Sequence, residues 1–237
     1  MEALVKRWWH RDLVSDAATH AWVLNLYRAG ERHPETVTDY FPVALAPFPW
    51  LAEALTRHRD DERRHGQMLA RAIARMGERV DDDVAHEDVF NHVIRRCTGR
   101  DFSCDTGAPE GERRETLAHF LAHAHHLERR VATSLGYHLD ACQAARSEVA
   151  AVVIARIRDD ELRHLGYTRG AVYELVPKAR GDALMELHRD AEARANLLFS
   201  QRQVRRFLRD FPDAATASRR GLYRFCAWLQ ETSARHA

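Results

Sequence analysis

Glycine and proline are scarce in this chain, 11 and 7 of 237 residues, so few positions can break a helix or close a tight turn. Four of the prolines stand in one segment, HPETVTDYFPVALAPFPW at 33–50, which reads as a connector. Strand-like alternation of useful length is missing, which excludes a β-rich class. The four cysteines, Cys97, Cys104, Cys142 and Cys226, form no CxxC pair and no disulfide-like framework. Free thiols in a reducing cytoplasm are expected, although Cys97 and Cys104 are close enough in sequence to pair. Net charge is nearly absent too: 36 Lys and Arg against 35 Asp and Glu leave +1. That balance gives no electrostatic case for nucleic-acid binding beyond a local basic patch. No apolar run approaches the roughly 18 residues of a membrane span, and no membrane partner is expected. The opening MEALVKRWWHRD has neither the apolar region nor the cleavage site of a signal peptide.

What remains is dominated by Ala, Leu, Arg and Glu, and 45% of the residues are hydrophobic, enough for a sizeable core. Periodicity and breakers predict helices at about 3–31, 49–77, 84–97, 112–138, 145–175, 181–210 and 214–233. The class is therefore all-α. Two consecutive helix pairs with related sequences predict a four-helix bundle over about 3–176, with additional C-terminal helices over about 181–233, in a single domain spanning 1–237.

The related sequences are RDDERRH at 59–65 and RDDELRH at 158–164. Each contains Glu-x-x-His, Glu62 with His65 and Glu161 with His164, and residues three apart on a helix reach one point. That spacing alone is weak, because about one such pair is expected by chance in a chain this rich in histidine. The flanks are stronger, since Arg, Asp, Asp and Arg recur at the same offsets. So is the face. Leu51, Leu55, His58, Glu62, His65, Leu69 and Met76 share one side of the second helix. Ile154, Ile157, Glu161, His164, Thr168, Val172 and Leu175 share one side of the fifth. Both glutamates thus lie on core-facing stripes without a lysine, where an unpaired carboxylate costs several kcal/mol, and a metal ion supplies the missing charge.

The other two long helices should then contribute. The stripe Leu117, Leu121, Ala124, Glu128, Val131, Leu135 offers Glu128, while His119, His123 and His126 fall on the opposite side and read as a solvated face. The first helix is less clear. Its stripe runs Trp9, Leu13, Asp16, His20, Leu24, Tyr27 and carries no glutamate, so either Asp16 or His20 is expected as its ligand, and the two stay open.

With these positions in view, the chain resembles the ferritin-like di-iron carboxylate superfamily. Asp61-Glu62-Arg63-Arg64-His65-Gly66 and Asp160-Glu161-Leu162-Arg163-His164 are similar to the metal motifs of acyl-carrier-protein desaturases and bacterial multicomponent monooxygenases. The thirty-three residues from Glu128 to Glu161 match the superfamily's spacing as well. The resemblance covers roughly residues 8–176 and not the last sixty. It implies two iron ions, with manganese or a mixed pair as alternatives, and Glu62, His65, Glu128, Glu161 and His164 as the catalytic ligands. It further implies that Asp61 and Asp160 orient the ligand histidines, and that Arg64 and Arg163 pair with carboxylates. A glutamate is expected on the first helix, where Asp16 or His20 stands instead.

The function implied is an O2-dependent oxidoreductase (oxygenase, hydroxylase or desaturase) acting on an organic substrate. Its expected partners are an electron donor such as a ferredoxin or reductase, an acyl carrier protein if the substrate is an acyl chain, and a second copy of the chain. Two other classes compete. One is iron handling by a ferroxidase, although the aromatic-bearing C-terminal helices (Phe199, Phe207, Tyr223, Phe225, Trp228) exceed what storage needs. The other is a helical binding protein, in which Arg202, Arg205, Arg206 and Arg209 meet an acidic carrier or tRNA. Nearby Asp190, Glu192 and Asp210 favour a solvated, balanced face there.

Overall fold

The computed structural model describes residues 2–31, 40–81, 89–99 and 104–236. Parts of the expected connector at 33–50, of the helix at 84–97 and of the break at 99–111 lie outside the described residues. Among the described residues the regular structure is entirely helical: α1 (Glu2–Leu13), α2 (Ala17–Glu31), α3 (Pro49–Arg75), α4 (Val89–Thr98), α5 (Glu110–Ala144), α6 (Glu148–Leu175), α7 (Lys178–Asp210) and α8 (Ala217–His236), with one 3-10 turn at Val43–Leu45. No helix among them is long and apolar enough to cross a membrane.

The chain divides into two compact units, residues 1–86 with 101–186, and residues 87–100 with 187–237. In the first, α5 packs most extensively on α6, α2 on α3, α3 on α6, and α1 on α5, giving a helical bundle. Several helix ends have a local cause. Pro49 starts α3 in the first turn, where its missing N–H is no loss. Gly77, at φ 79, lets α3 end with Glu78 N–H donating to the Ile73 carbonyl and Gly77 N–H to that of Ala74. Glu110 and Glu112 stand in the first turn of α5, where carboxylates suit the helix dipole. The α5 helix continues to Ala144, six residues beyond the predicted end.

The expected first helix, 3–31, is two helices. Ser15 Oγ donates to the Asp12 carbonyl at 2.8 Å as α1 ends. Asp16 then caps α2, its Oδ1 accepting from the Thr19 N–H at 2.9 Å and its Oδ2 from the Thr19 hydroxyl at 3.0 Å. Asp16 is exposed. Its residue type is explained by the cap. The side chain of Asn25 ties α2 to the segment that follows α3, donating to the Arg79 carbonyl and accepting from the Asp81 N–H.

Two apolar clusters fill the first unit. One contains Leu51, Leu55, Leu117, Leu121, Val172 and Leu175, and the other Leu24, Leu69, Ile73, Leu135, Ile154 and Ile157. On α3, α5 and α6 the residues between these clusters are polar and buried: His58, Asp61 and His65, then Glu128, then Asp160, Glu161 and His164. The core is thus two apolar layers with a charged layer between them.

In the second unit Ile94, Phe207 and Tyr223 are buried, whereas Phe225 and Trp228 are more than half exposed. Arg205 is paired with Glu231, Arg206 with Asp210 and Arg209 with Asp210. All four cysteines are free.

Removing the cap should cost stability without touching the polar layer. Asp16→Ala is expected to lower stability by about 1 kcal/mol in urea denaturation while leaving metal content unchanged. Loss of metal in this variant would return Asp16 to the ligand set.

Candidate metal centre

The two copies of the heptapeptide face each other across α3 and α6, and their flanking residues interlock. His65 Nε2 of α3 lies 3.2 Å from Asp160 Oδ2 of α6, and His164 Nε2 of α6 lies 3.2 Å from Asp61 Oδ2 of α3. Arg64 reaches both aspartates, at 2.7 Å from Asp61 and 2.6 Å from Asp160. Arg163 does the same, at 2.6 Å from each. Burial opposes charge on Asp61, but hydrogen bonds from His164, Arg163 and Arg64 overcome it and hold its pKa below the ordinary range. Asp160 is lowered in the same way by Arg163, His65 and Arg64. Two ionised aspartates therefore accept the Nε2 protons, and each imidazole turns its Nδ1 lone pair inward.

Those Nδ1 atoms meet carboxylates. His65 Nδ1 is 3.2 Å from Glu31 Oε2 and 3.6 Å from Glu161 Oε1. His164 Nδ1 is 3.0 Å from Glu161 Oε2 and 3.8 Å from Glu62 Oε1. His58, one turn before Glu62, places Nε2 3.3 Å from Glu62 and 3.2 Å from Glu128. Its Nδ1 is fixed by the Tyr167 hydroxyl at 2.9 Å, and its ring stacks on His164 with centroids 3.6 Å apart. The potential ligand atoms form two groups, Glu31–Glu62–His65–Glu161 and His58–Glu62–Glu128–His164, each with all donors within 4.8 Å of one another. Glu62 belongs to both.

Neither residue expected as the first-helix ligand falls in the two groups. Glu31, the last residue of α2, is the α2 carboxylate that does. Asp16 is the cap of the same helix, and His20 is grouped with His138 and Cys142 instead. Sequence reasoning also left His58 unassigned. Glu62, His65, Glu128, Glu161 and His164 fall within the two groups, and Asp61, Arg64, Asp160 and Arg163 form the network behind them. His119, His123 and His126, expected on a solvated face, are buried. That side of α5 is covered as well, and His126 Nε2 lies 2.9 Å from the Met185 carbonyl. His125, half-buried, lies 3.2 Å from Thr168 Oγ1.

The residues fit a metal on electrostatic grounds. Four glutamates share one layer without a lysine, Glu128 and Glu161 buried and Glu31 and Glu62 largely so. His58 Nε2 and Glu62 Oε1 are buried with no hydrogen bond of good geometry. Without a cation the layer keeps protons. Burial and the repulsion of neighbouring carboxylates raise Glu31 to about 7 and Glu62 to about 8, and Glu161 rises well above the ordinary range for the same reasons. Burial acts against charge on Glu128 too, but His58 and a hydrogen bond from Glu161 outweigh it and lower its pKa. Burial likewise opposes a charged His58, yet Tyr167, Glu128 and Glu62 together raise its pKa well above the usual value. The centre is thus a set of anions held apart by shared protons, which a divalent ion can replace.

The sign of the pH dependence follows. Carboxylates whose folded pKa is raised favour the folded metal-free protein most below the unfolded value near 4.5, and this contribution is lost as pH rises through about 7 to 8. A divalent metal should therefore raise the melting temperature more at pH 8 than at pH 5, where it must displace the protons that the carboxylates hold. Equal metal-induced shifts at both pH values would contradict the shared-proton picture. Asp61→Asn and Asp160→Asn should each weaken metal binding by roughly 10–100-fold in a competitive titration, the usual effect of losing a ligand histidine's carboxylate partner.

Compared with protein-family models, curated proteins and solved structures, the chain matches none, so its functional reading rests on the geometry of this site.

Proposed function

We propose that the chain is a ferritin-like di-iron protein and an O2-dependent oxidoreductase acting on an organic substrate. The observation that supports it is the ligand inventory: one glutamate from each of α2, α3, α5 and α6, with a histidine three residues after the glutamates of α3 and α6. Four carboxylates carry the negative charge that two divalent ions neutralise. Carboxylates with imidazoles suit iron(II), and manganese or a mixed pair is the natural competitor. When bound, the iron pair would supply the redox chemistry, using O2 to oxidise a C–H or N–H bond.

The chain's own residues prepare that chemistry. Asp61 and Asp160 keep the Nε2 atoms of His164 and His65 protonated and their rings in place. The Tyr167 hydroxyl holds the Nδ1 side of His58, which leaves Nε2 facing Glu62 and Glu128. Phe41, whose ring centroid is 4.8 Å from that of His58, stacks edge-on with Phe120 and shields the His58 side from water. Glu31, Glu62 and Glu161 hold protons near neutrality that leave as the metal enters. Electrons for turnover would come from an external donor such as a ferredoxin or reductase.

The test loads the reduced protein anaerobically with iron(II), admits O2, and records O2 uptake with and without acyl-carrier thioesters, amines and tRNA. Uptake that quickens with one substrate and yields its oxidised product is the expected result. Repeated oxidation of excess iron(II) to a mineral, indifferent to every substrate, would make the protein a ferroxidase. A well-folded chain that takes up no metal would make it a binding protein.

A further inference from the structure

A second group of ligand-type side chains lies buried in the same unit, away from the carboxylate layer. It consists of His20 on α2 with His138 and Cys142 on α5, all three donors within 4.8 Å of one another. His138 and Cys142 are one turn apart on the same face of α5. Ten residues separate Glu128 from His138, about 15 Å of helix rise, so the two sites are distinct. His20 Nε2 lies 3.2 Å from His138 Nε2 and 3.7 Å from Cys142 Sγ. Behind this group, His138 Nδ1 faces His10 Nδ1 at 3.2 Å and the Tyr27 hydroxyl at 3.4 Å.

Hydrogen bonding explains each pair separately and the trio less well. His20 Nε2 carries a single proton or a single lone pair, yet it faces a nitrogen and a sulfur at once. A tetrahedral metal with metal–nitrogen bonds of about 2.0–2.1 Å and a metal–sulfur bond of about 2.3 Å separates its nitrogens by about 3.3 Å, and sulfur from nitrogen by about 3.6 Å. The observed separations, 3.2 and 3.7 Å, match that pattern. We propose that His20, His138 and Cys142 bind a single thiophilic d10 cation, Cu(I) or Zn(II), with His10 as a positioning residue that orients His138 from its far nitrogen.

The chemistry of the pocket supports this. Burial lowers His20 to about 4, and burial with the neighbouring His10 and His20 lowers His138 further, so both imidazoles offer neutral lone pairs at physiological pH. Burial raises the Cys142 thiol to about 12 without a metal. Binding forms a metal–sulfur bond and releases the thiol proton to solvent, with no change of oxidation state. One thiolate and one Cu(I) sum to zero charge, the better match for a sulfur that belongs to the same apolar cluster as Leu24, Leu135 and Ala141.

The experiment titrates the folded full-length protein with Co(II) as a spectroscopic probe for Zn(II), and with Cu(I) anaerobically against a competing chelator. The carboxylate centre contains no sulfur, so a thiolate-to-cobalt charge-transfer band cannot come from it, and loss of the band in Cys142→Ser assigns it to this site rather than to the three other free cysteines. The expected result is one equivalent whose band is lost in Cys142→Ser and in His20→Gln. The band should persist in Glu62→Ala, and His10→Phe should keep the stoichiometry while weakening affinity roughly 10–100-fold. The competition arms distinguish the ions, tighter Cu(I) binding being expected. A measurement on the unaltered protein covers variants that misfold: X-ray absorption at the bound metal's edge should find sulfur at about 2.3 Å. Failure of both Co(II) and Cu(I) to bind in a Cys142-dependent way, or a coordination shell of nitrogen and oxygen only, would overturn the proposal.

Discussion

Four glutamates in one layer of a helical core, Glu128 and Glu161 buried and Glu31 and Glu62 largely so, set the terms for everything around them. Each carboxylate removed from water is costly unless it meets a cation or a proton, and four together multiply the cost through mutual repulsion. Glu31, Glu62 and Glu161 meet the constraint by keeping protons at pH values where exposed glutamates have lost them. A bundle designed only for stability would place leucines there, as this one does two turns away, at Leu55 and Leu69 on α3 and at Leu121 and Leu135 on α5. The layer is held in spite of its cost, and the apolar clusters on either side supply the stability that tolerates it.

The repeated heptapeptide is the structural answer to that constraint. Two copies brought together across α3 and α6 form a closed circuit in which each aspartate serves the histidine of the other copy and each arginine spans both aspartates. Neither copy could do this alone. The circuit explains why the flanking residues repeat as faithfully as the ligands. It also keeps both pairs of ring nitrogens in defined roles, outward to aspartate and inward to the carboxylate layer.

Much of this was legible in the sequence. Core-facing stripes carried Glu62, Glu128 and Glu161 into the layer, because helical periodicity reports a face directly. The first helix was misread for a physical reason. Ser15 and Asp16, followed by Thr19, form a stop and a cap, so a register extended across 3–31 passes over a break. Glu31 sits one turn beyond Tyr27 on the same stripe, but its position beside the proline-containing connector masked it as a helix end. His58 was visible on its stripe, yet an imidazole among leucines gives no sign of what it faces across the bundle. The burial of His119, His123 and His126 was hidden for a related reason, since periodicity shows which residues share a face and not how many faces are covered.

The most direct measurement of the central claim is anomalous diffraction at the iron edge from crystals grown anaerobically with iron(II). The account predicts two iron peaks about 3.5–4 Å apart, a separation typical of two-metal sites. They should lie between Glu62 and Glu161, with Glu31 and His65 on one ion and Glu128, His164 and His58 on the other. A single peak, no peak, or iron bound only at surface carboxylates would contradict it.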